Sequence, residues 1–359
     1  MCSKRKHSRL YDYFSSKSIL YYDARGKSTK KGRFMIIAGH SKHADCASVQ
    51  EAVDLAASSG DFEIFIEEGF YEERVEIHTN GLRIRGAGAE KTIVSGHLYG
   101  FMPSSDIGKL GTFRSYTMLV DASDVQISDL TIENTAGAGP EIGQAIALYA
   151  DGNHLIFERL RLLGWQDTLF TGPLPPKEIE KNGFIGPKQF APRINGYQFY
   201  KDCYIEGDVD FIFGSASVYF LHCVLFQKDR EKKRGTGPNS ERPCKGYATA
   251  ASTPEGQEWG YVFEDCRFES DCPEESCYLG RPWRNFAKVS IVRCYLGPQI
   301  AREGFHNWNK TEAEQTVSFT EYRNFGPGAD SHARAPFVRE LSDSEYLTLK
   351  ERLSSSLRL

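Results

Sequence analysis

Six segments of the chain repeat one alternation of apolar and polar positions: VQISDLTIEN (125–134), LIFERLRLLG (155–164), YQFYKDCYIEG (197–207), VYFLHCVLFQ (218–227), YVFEDCRFES (261–270) and VSIVRCYLGP (289–298). Each opens on an apolar or aromatic residue, passes a charged or polar pair, and reaches a Leu or Cys. One variable residue and a further apolar residue then lead into a turn. The shared position falls at Leu130, Leu160, Cys203, Cys223, Cys266 and Cys294, at intervals of 30, 43, 20, 43 and 28 residues. Short strand-like runs of this kind lack the 3.6-residue spacing of helices. Their recurrence predicts an all-β fold, a right-handed parallel β-helix or single-stranded solenoid, with inserted loops accounting for the longer intervals.

The ends of a solenoid expose apolar edges and need covers. CASVQEAVDLAAS (46–58) has apolar residues at helical spacing and a Ser near its start, which predicts a short N-terminal capping helix. Strands follow at FEIFIEEG (62–69) and LRIRGAG (82–88). On this pattern residues 1–34 form an N-terminal extension, 35–340 the β-helix, and 341–359 a C-terminal helical tail. Two stretches interrupt the repeat, 171–196, rich in Pro and Gly, and 228–245. Excursions of this length commonly build the walls of a cleft.

The formal net charge of −4 excludes a dedicated nucleic-acid or anionic-membrane binder, because the basic runs Lys4-Arg5-Lys6 and Lys232-Lys233-Arg234 are short. No apolar stretch approaches the roughly 20 residues that span a bilayer. The first thirty residues offer no apolar run longer than Ile19-Leu20-Tyr21-Tyr22. A cytoplasmic protein, monomeric and without cofactor or metal, is therefore expected, with secretion the alternative if the true N-terminus differs. The nine cysteines include no CxxC pair and no companion histidines at zinc spacing. Four of them share the repeat position, so an internal stack of small buried side chains is the expected use.

Two segments carry candidate chemistry. GWQDTLF (164–170) places Gln166 and Asp167 directly after a coil, and EGDVDFIFG (206–214) places Asp208 and Asp210 on one face of an extended strand. As isolated turn residues, Asp167 and Asp210 would merely cap backbone amides. An acid between Val209 and the run Phe211, Ile212 and Phe213 is instead buried at a cost or functional. Two neighbouring carboxylates cannot both ionise cheaply, so one is held protonated as an acid while the other stays anionic as nucleophile or base. Stacked coils can add Gln144 of GQAIALYADG and Arg281 of YLGRPWRNF to the same patch.

These motifs, GQAIAL (143–148), GWQDTLF, YIEGDVDFIFG (204–214) and YLGRPW (278–283), occur in the order found in the pectin methylesterases, or pectinesterases, and the chain resembles that family over about residues 35–340. GYATAAST (246–253) and the loop 171–196 resemble bacterial members. The resemblance implies hydrolysis of galacturonate methyl esters in homogalacturonan or its oligosaccharides through an aspartyl acyl-enzyme. It implies Asp210 as nucleophile, Asp167 as acid and then base, Gln144 and Gln166 as oxyanion donors, and Arg281 as the residue orienting Asp210. Trp283 and Phe213 are expected against the sugar, with Val209 beside them. Where the family commonly has a Gly-Trp pair, EGFHNW gives Phe305 followed by Trp308, and Phe305 is taken as the substrate contact. A β-helix esterase or thioesterase acting on another acyl group is the alternative. A polygalacturonase-like glycosidase is disfavoured because Gly-His-Gly is absent, and a serine hydrolase because G-x-S-x-G is absent.

Overall fold

A computed structural model describes residues 35–233 and 244–357; the proposed extension 1–34 lies outside them. The chain winds through three sheets of eleven, eight and seven strands, and every strand pairing in them is parallel. One coil shows the plan: Leu155–Glu158 joins the first sheet, Arg161–Leu163 the second and Leu169–Thr171 the third. The next repeats it with Tyr197–Lys201, Tyr204–Gly207 and Val209–Gly214. A small antiparallel pair, Pro103–Ser104 with Gly108–Lys109, stands apart.

The repeated pattern has a backbone cause. The residue before each shared position turns the chain from the first sheet into the second with positive φ: Asp129 at 61°, Arg159 at 52°, Asp202 at 54°, His222 at 55°, Asp265 at 53° and Arg293 at 50°. Left-handed backbone is unfavourable for residues with a Cβ, so the corner must be held by its surroundings. Part of that hold is electrostatic, since Arg159 grips Asp129 of the preceding coil at 2.6 and 2.8 Å and Arg293 grips Asp265 at 2.5 and 2.9 Å.

The next residue points inward. Leu130, Leu160 and the four cysteines are all buried. Each cysteine thiol also donates to a main-chain carbonyl one coil back: Cys203 to Phe157, Cys223 to Tyr200 and Cys266 to Phe220, each at 3.5 Å, and Cys294 to Phe263 at 3.4 Å. The residues whose carbonyls they use stack in turn, with Phe157, Tyr200, Phe220 and Phe263 at centroid separations of 4.6, 5.0 and 4.4 Å. The inside of the solenoid is thus a column of rings beside a column of thiols.

Helix α1, Val49–Ser59, closes one end. Ser48 and Glu51 form its capping box, and Val49, Ala52, Val53 and Ala56 are buried against the first coil. A four-residue helix α2, Arg230–Lys233, opens the second excursion. Helix α3, Asp343–Leu357, lies on the outside of the first sheet, where Leu353 packs among Phe199, Tyr219, Trp259 and Tyr322. It is tied down by Glu264, which is 1% exposed and receives Tyr219 at 2.5 Å, Lys350 at 2.7 Å and Tyr346 at 2.9 Å.

Candidate active site

The third sheet carries the site on its outer face. Its register pairs Leu169 with Ile212, and the same 43-residue offset two positions earlier sets Asp167 beside Asp210. Neither acid sits in ordinary strand backbone: φ is 65° at Asp167 and 51° at Asp210, and the register shifts between Val209 and Ile212 where Asp210 bulges. Such conformations are costly and, within a sheet, re-aim a side chain. The main chain fixes the pair, because the Asp167 N–H donates to the Val209 carbonyl at 3.1 Å. Close packing at Gly207 also matters, since a Cβ there would stand 2.3 Å from the Cβ of Phe211 and 2.4 Å from the Trp165 carbonyl.

Arg281, from strand Cys277–Pro282, reaches Asp210 with both arms of its fork, Nε to Oδ1 at 2.8 Å and an Nη to Oδ2 at 2.7 Å. Its guanidinium lies 3.9 Å from the Tyr247 ring and 3.6 Å from the Trp308 ring, so its direction is fixed by two aromatic faces.

The acids are almost equally buried, 7% exposed for Asp167 and 6% for Asp210, yet their environments differ. Burial, reinforced by the charge of Asp210, holds the Asp167 carboxyl well above the ordinary carboxylate range. Burial raises Asp210 too, but the Arg281 charge and hydrogen bonds oppose it. No protein group among the described residues donates to the Asp167 carboxyl. The two settings differ in direction of support: the Arg281 fork favours the charged form of Asp210, and nothing comparable favours that of Asp167.

A cleft of about 370 Å³ opens over the pair, lined by Gln144, Gln166, Asp167, Asp210, Phe213, Arg281 and Trp283. Seven of the nine residues expected to act on or touch the substrate thus share one cavity. The side-chain amides of Gln144 and Gln166 make no hydrogen bond to protein among the described residues. Trp283 is partly exposed, 5.7 Å from Phe213, and gives the cleft an aromatic wall.

The other two residues do not line it. Phe305 is a correction: it is 1% exposed and stacks inward on Phe319 at 4.3 Å. The parallel bridge from Gly280 to Phe305 carries the coil's register on, which turns Phe305 into the core and leaves Trp308, three residues later, at the cleft. Val209 contributes its carbonyl to Asp167 but is absent from the cavity wall.

Sequence reasoning missed several walls. Phe113 comes from a short 3₁₀ turn (Thr112–Arg114), and Ile179 and Phe184 from the first excursion, so that excursion does build cleft wall. Lys310 also lines the cleft. Burial, with Arg284 and Arg281 nearby, brings its ammonium down to about 8. None of these carried a repeat signal.

Fold and cleft together define a parallel β-helix protein of the carboxylate-pair hydrolase class. The sequence model of the family described as pectinesterase matches residues 35–173 and 194–343, and the chain belongs to that family. The gap between the matched stretches falls within the first excursion. "Pectinesterase 31" of Arabidopsis thaliana is 32% identical over 87% of this chain and 89% of its own length. Of two relatives named as pectinesterase/pectinesterase inhibitor, from Arabidopsis thaliana and Prunus persica, the chain spans 47% and 46% of the length. Among solved structures, a pectin methylesterase in complex with a hexasaccharide superposes with a TM-score of 0.71 at 24% identity, covering 90% of this chain and 96% of that one. The pectin methylesterase from carrot superposes at 0.69 with 25% identity, covering 89% and 92%.

Proposed function

We propose that this chain hydrolyses the C6 methyl esters of galacturonate units in pectin or its oligosaccharides, through an acyl-enzyme on Asp210. The observation that carries the mechanism is the inequality of the two acids: Asp210 is held as an anion in the Arg281 fork, and Asp167 stands beside it as the buried acid.

In the first half-reaction an Asp210 oxygen attacks the ester carbonyl carbon. The oxyanion that forms is met by the amides of Gln144 and Gln166. Its collapse breaks the bond to the methoxy oxygen, which takes the Asp167 proton and leaves as methanol, and an anhydride joins substrate and Asp210. In the second half-reaction Asp167, now a carboxylate, takes a proton from water as that water attacks the substrate acyl carbon. The anhydride opens to the free uronic acid, which loses its proton to solvent, and to the Asp210 carboxylate, and Asp167 is again protonated. Trp283 and Phe213 supply the flat apolar surface on which a sugar ring can lie. The eight described cysteines are all free thiols, which supports a reducing, cytoplasmic location.

Product analysis tests the substrate class. Methanol and new carboxylate in equal amounts are expected from methyl-esterified homogalacturonan, with no acetate from an acetylated polymer and no thiol from a thioester. Acetate or thiol release without methanol would overturn the reading.

A further inference from the structure

Asp208 stands two residues before Asp210 in EGDVDFIFG but has no part in the ester hydrolysis. Its side chain is 0% exposed. Oδ2 accepts from Arg230 Nε at 2.6 Å, and Oδ1 accepts from the Val209 N–H at 2.6 Å. Arg230 begins α2, two residues after Lys228. The Lys228 ammonium donates to the Gly164 carbonyl and to Glu206 Oε1, both at 2.7 Å, and lies 3.8 Å from the Trp165 ring. Gly164 and Trp165 belong to GWQDTLF, and Glu206 and Asp208 to EGDVDFIFG. Two cations of one short segment therefore hold both acid-bearing coils.

We propose that Lys228 and Arg230 are positioning residues for the dyad: Lys228 ties the Asp167 coil to the Asp210 coil, and Arg230 balances the buried Asp208 charge beside both acids. The inference rests on the roles proposed for Asp210 and Asp167. The second excursion contributes no residue to the cleft wall among those described. Its described start instead binds Asp208, the residue before the strand that carries the nucleophile. The peptide between Asp208 and Asp210 is also the one whose Val209 carbonyl receives the Asp167 N–H, so a shift at Asp208 moves both acids together.

Charged and titratable groups surround the dyad on several elements. Arg281 approaches from strand Cys277–Pro282, Lys310 from the loop before strand Ser318–Tyr322, Tyr247 from strand Gly246–Ala251 and Cys244 from the end of the second excursion, while Arg230 of α2 binds Asp208. Arg281 is committed to Asp210, and Lys310 donates to the Pro282 and Trp283 carbonyls at 2.9 and 3.2 Å. Asp208 adds negative charge at both acids, and Arg230 is the cation bound to it.

The test is the pH dependence of kcat/KM for methanol release by wild type, Arg230→Gln, Asp208→Asn and the double variant, with the melting temperature of each. Asp210 must be ionised to attack, so the acid limb follows its pKa. Arg230→Gln leaves Asp208 unbalanced and is expected to move that limb up by about one pH unit; Asp208→Asn leaves Arg230 unbalanced and should move it down by about as much. The double variant, losing both charges, returns the limb close to wild type. Arg230→Lys, which keeps the charge, should retain the wild-type limb and serves if Arg230→Gln does not fold. Lys228→Met should lower kcat about tenfold with KM nearly unchanged, as about 1.4 kcal/mol of lost positioning would give. Limbs that stay fixed while only melting temperatures fall, or that move the same way in both single variants, would make the pair structural and overturn the proposal. Equal methanol release by wild type and Asp210→Ala would instead overturn the dyad assignment itself.

Discussion

The inside and the outside of the same coils solve opposite problems. Along the inner column, Phe157, Tyr200, Phe220 and Phe263 stack on one another, and each repeat cysteine donates to a carbonyl of the previous coil, so rings pack on rings and each thiol is satisfied by the coil before it. On the outer face of the third sheet, the same register brings together Asp167 and Asp210, two carboxyls that repel when both are charged. A ladder that aligns like with like gives cohesion when the residues are apolar and an electrostatic conflict when they are acids. The conflict is eased from another coil by Arg281, which holds Asp210 and leaves Asp167 as the carboxyl that burial pushes upward. Stability belongs to the inner face, and reactivity to the outer one.

The contrast can be broken from either side, and the largest expected effect is on the outer face. Asp167→Asn removes the proton donor and should lower kcat by about 10²–10⁴-fold with KM little changed, checked by steady-state methanol release. The same variant should be more stable than wild type at neutral pH. Because the folded-state pKa of Asp167 is raised above its unfolded value, the stability linked to this group is full below the unfolded pKa and is lost as pH rises toward the folded one. Asparagine removes that loss, so urea melts at pH 5 and pH 8 should differ less in the variant.

Next in size is the inner column. Phe220→Ala empties a site that is 0% exposed and stacked 4.4 Å from Phe263, and should cost about 3–5 kcal/mol in urea unfolding while leaving KM of the folded fraction unchanged. On the outer face, Gln166→Ala should cost about 10²–10³ in kcat, the usual worth of one oxyanion donor, with no comparable loss of stability. The smallest effect is expected at Cys266→Ala, about 1 kcal/mol for one buried thiol and its hydrogen bond, with full activity. A large loss of turnover in Cys266→Ala would mean that the two faces are not separable.

How much the sequence disclosed follows the same division. The coils were legible because each must place a left-handed corner residue and an inward side chain at one position, which leaves a trace even across inserted loops. The acids were legible because an Asp among Val209, Phe211 and Ile212 conflicts with its setting. Phe305 misled because the turn after Gly304 has no period from which to read its facing: only the bridge to Gly280 shows that the ring points inward and that Trp308 is the aromatic at the cleft. Phe113, Phe184 and Lys310 were illegible for a related reason. They reach the site from loops whose paths are set by tertiary contact rather than by repetition.

The account turns on Asp210 as the attacking group. The most direct measurement is methanol release from methyl-esterified homogalacturonan by wild type and Asp210→Ala, prepared side by side and matched for folded content by their unfolding curves. The account predicts steady methanol release by wild type and a loss of at least about 10⁴-fold in the variant, as removal of a nucleophile gives in other hydrolases. A folded Asp210→Ala protein that releases methanol at the wild-type rate would contradict it.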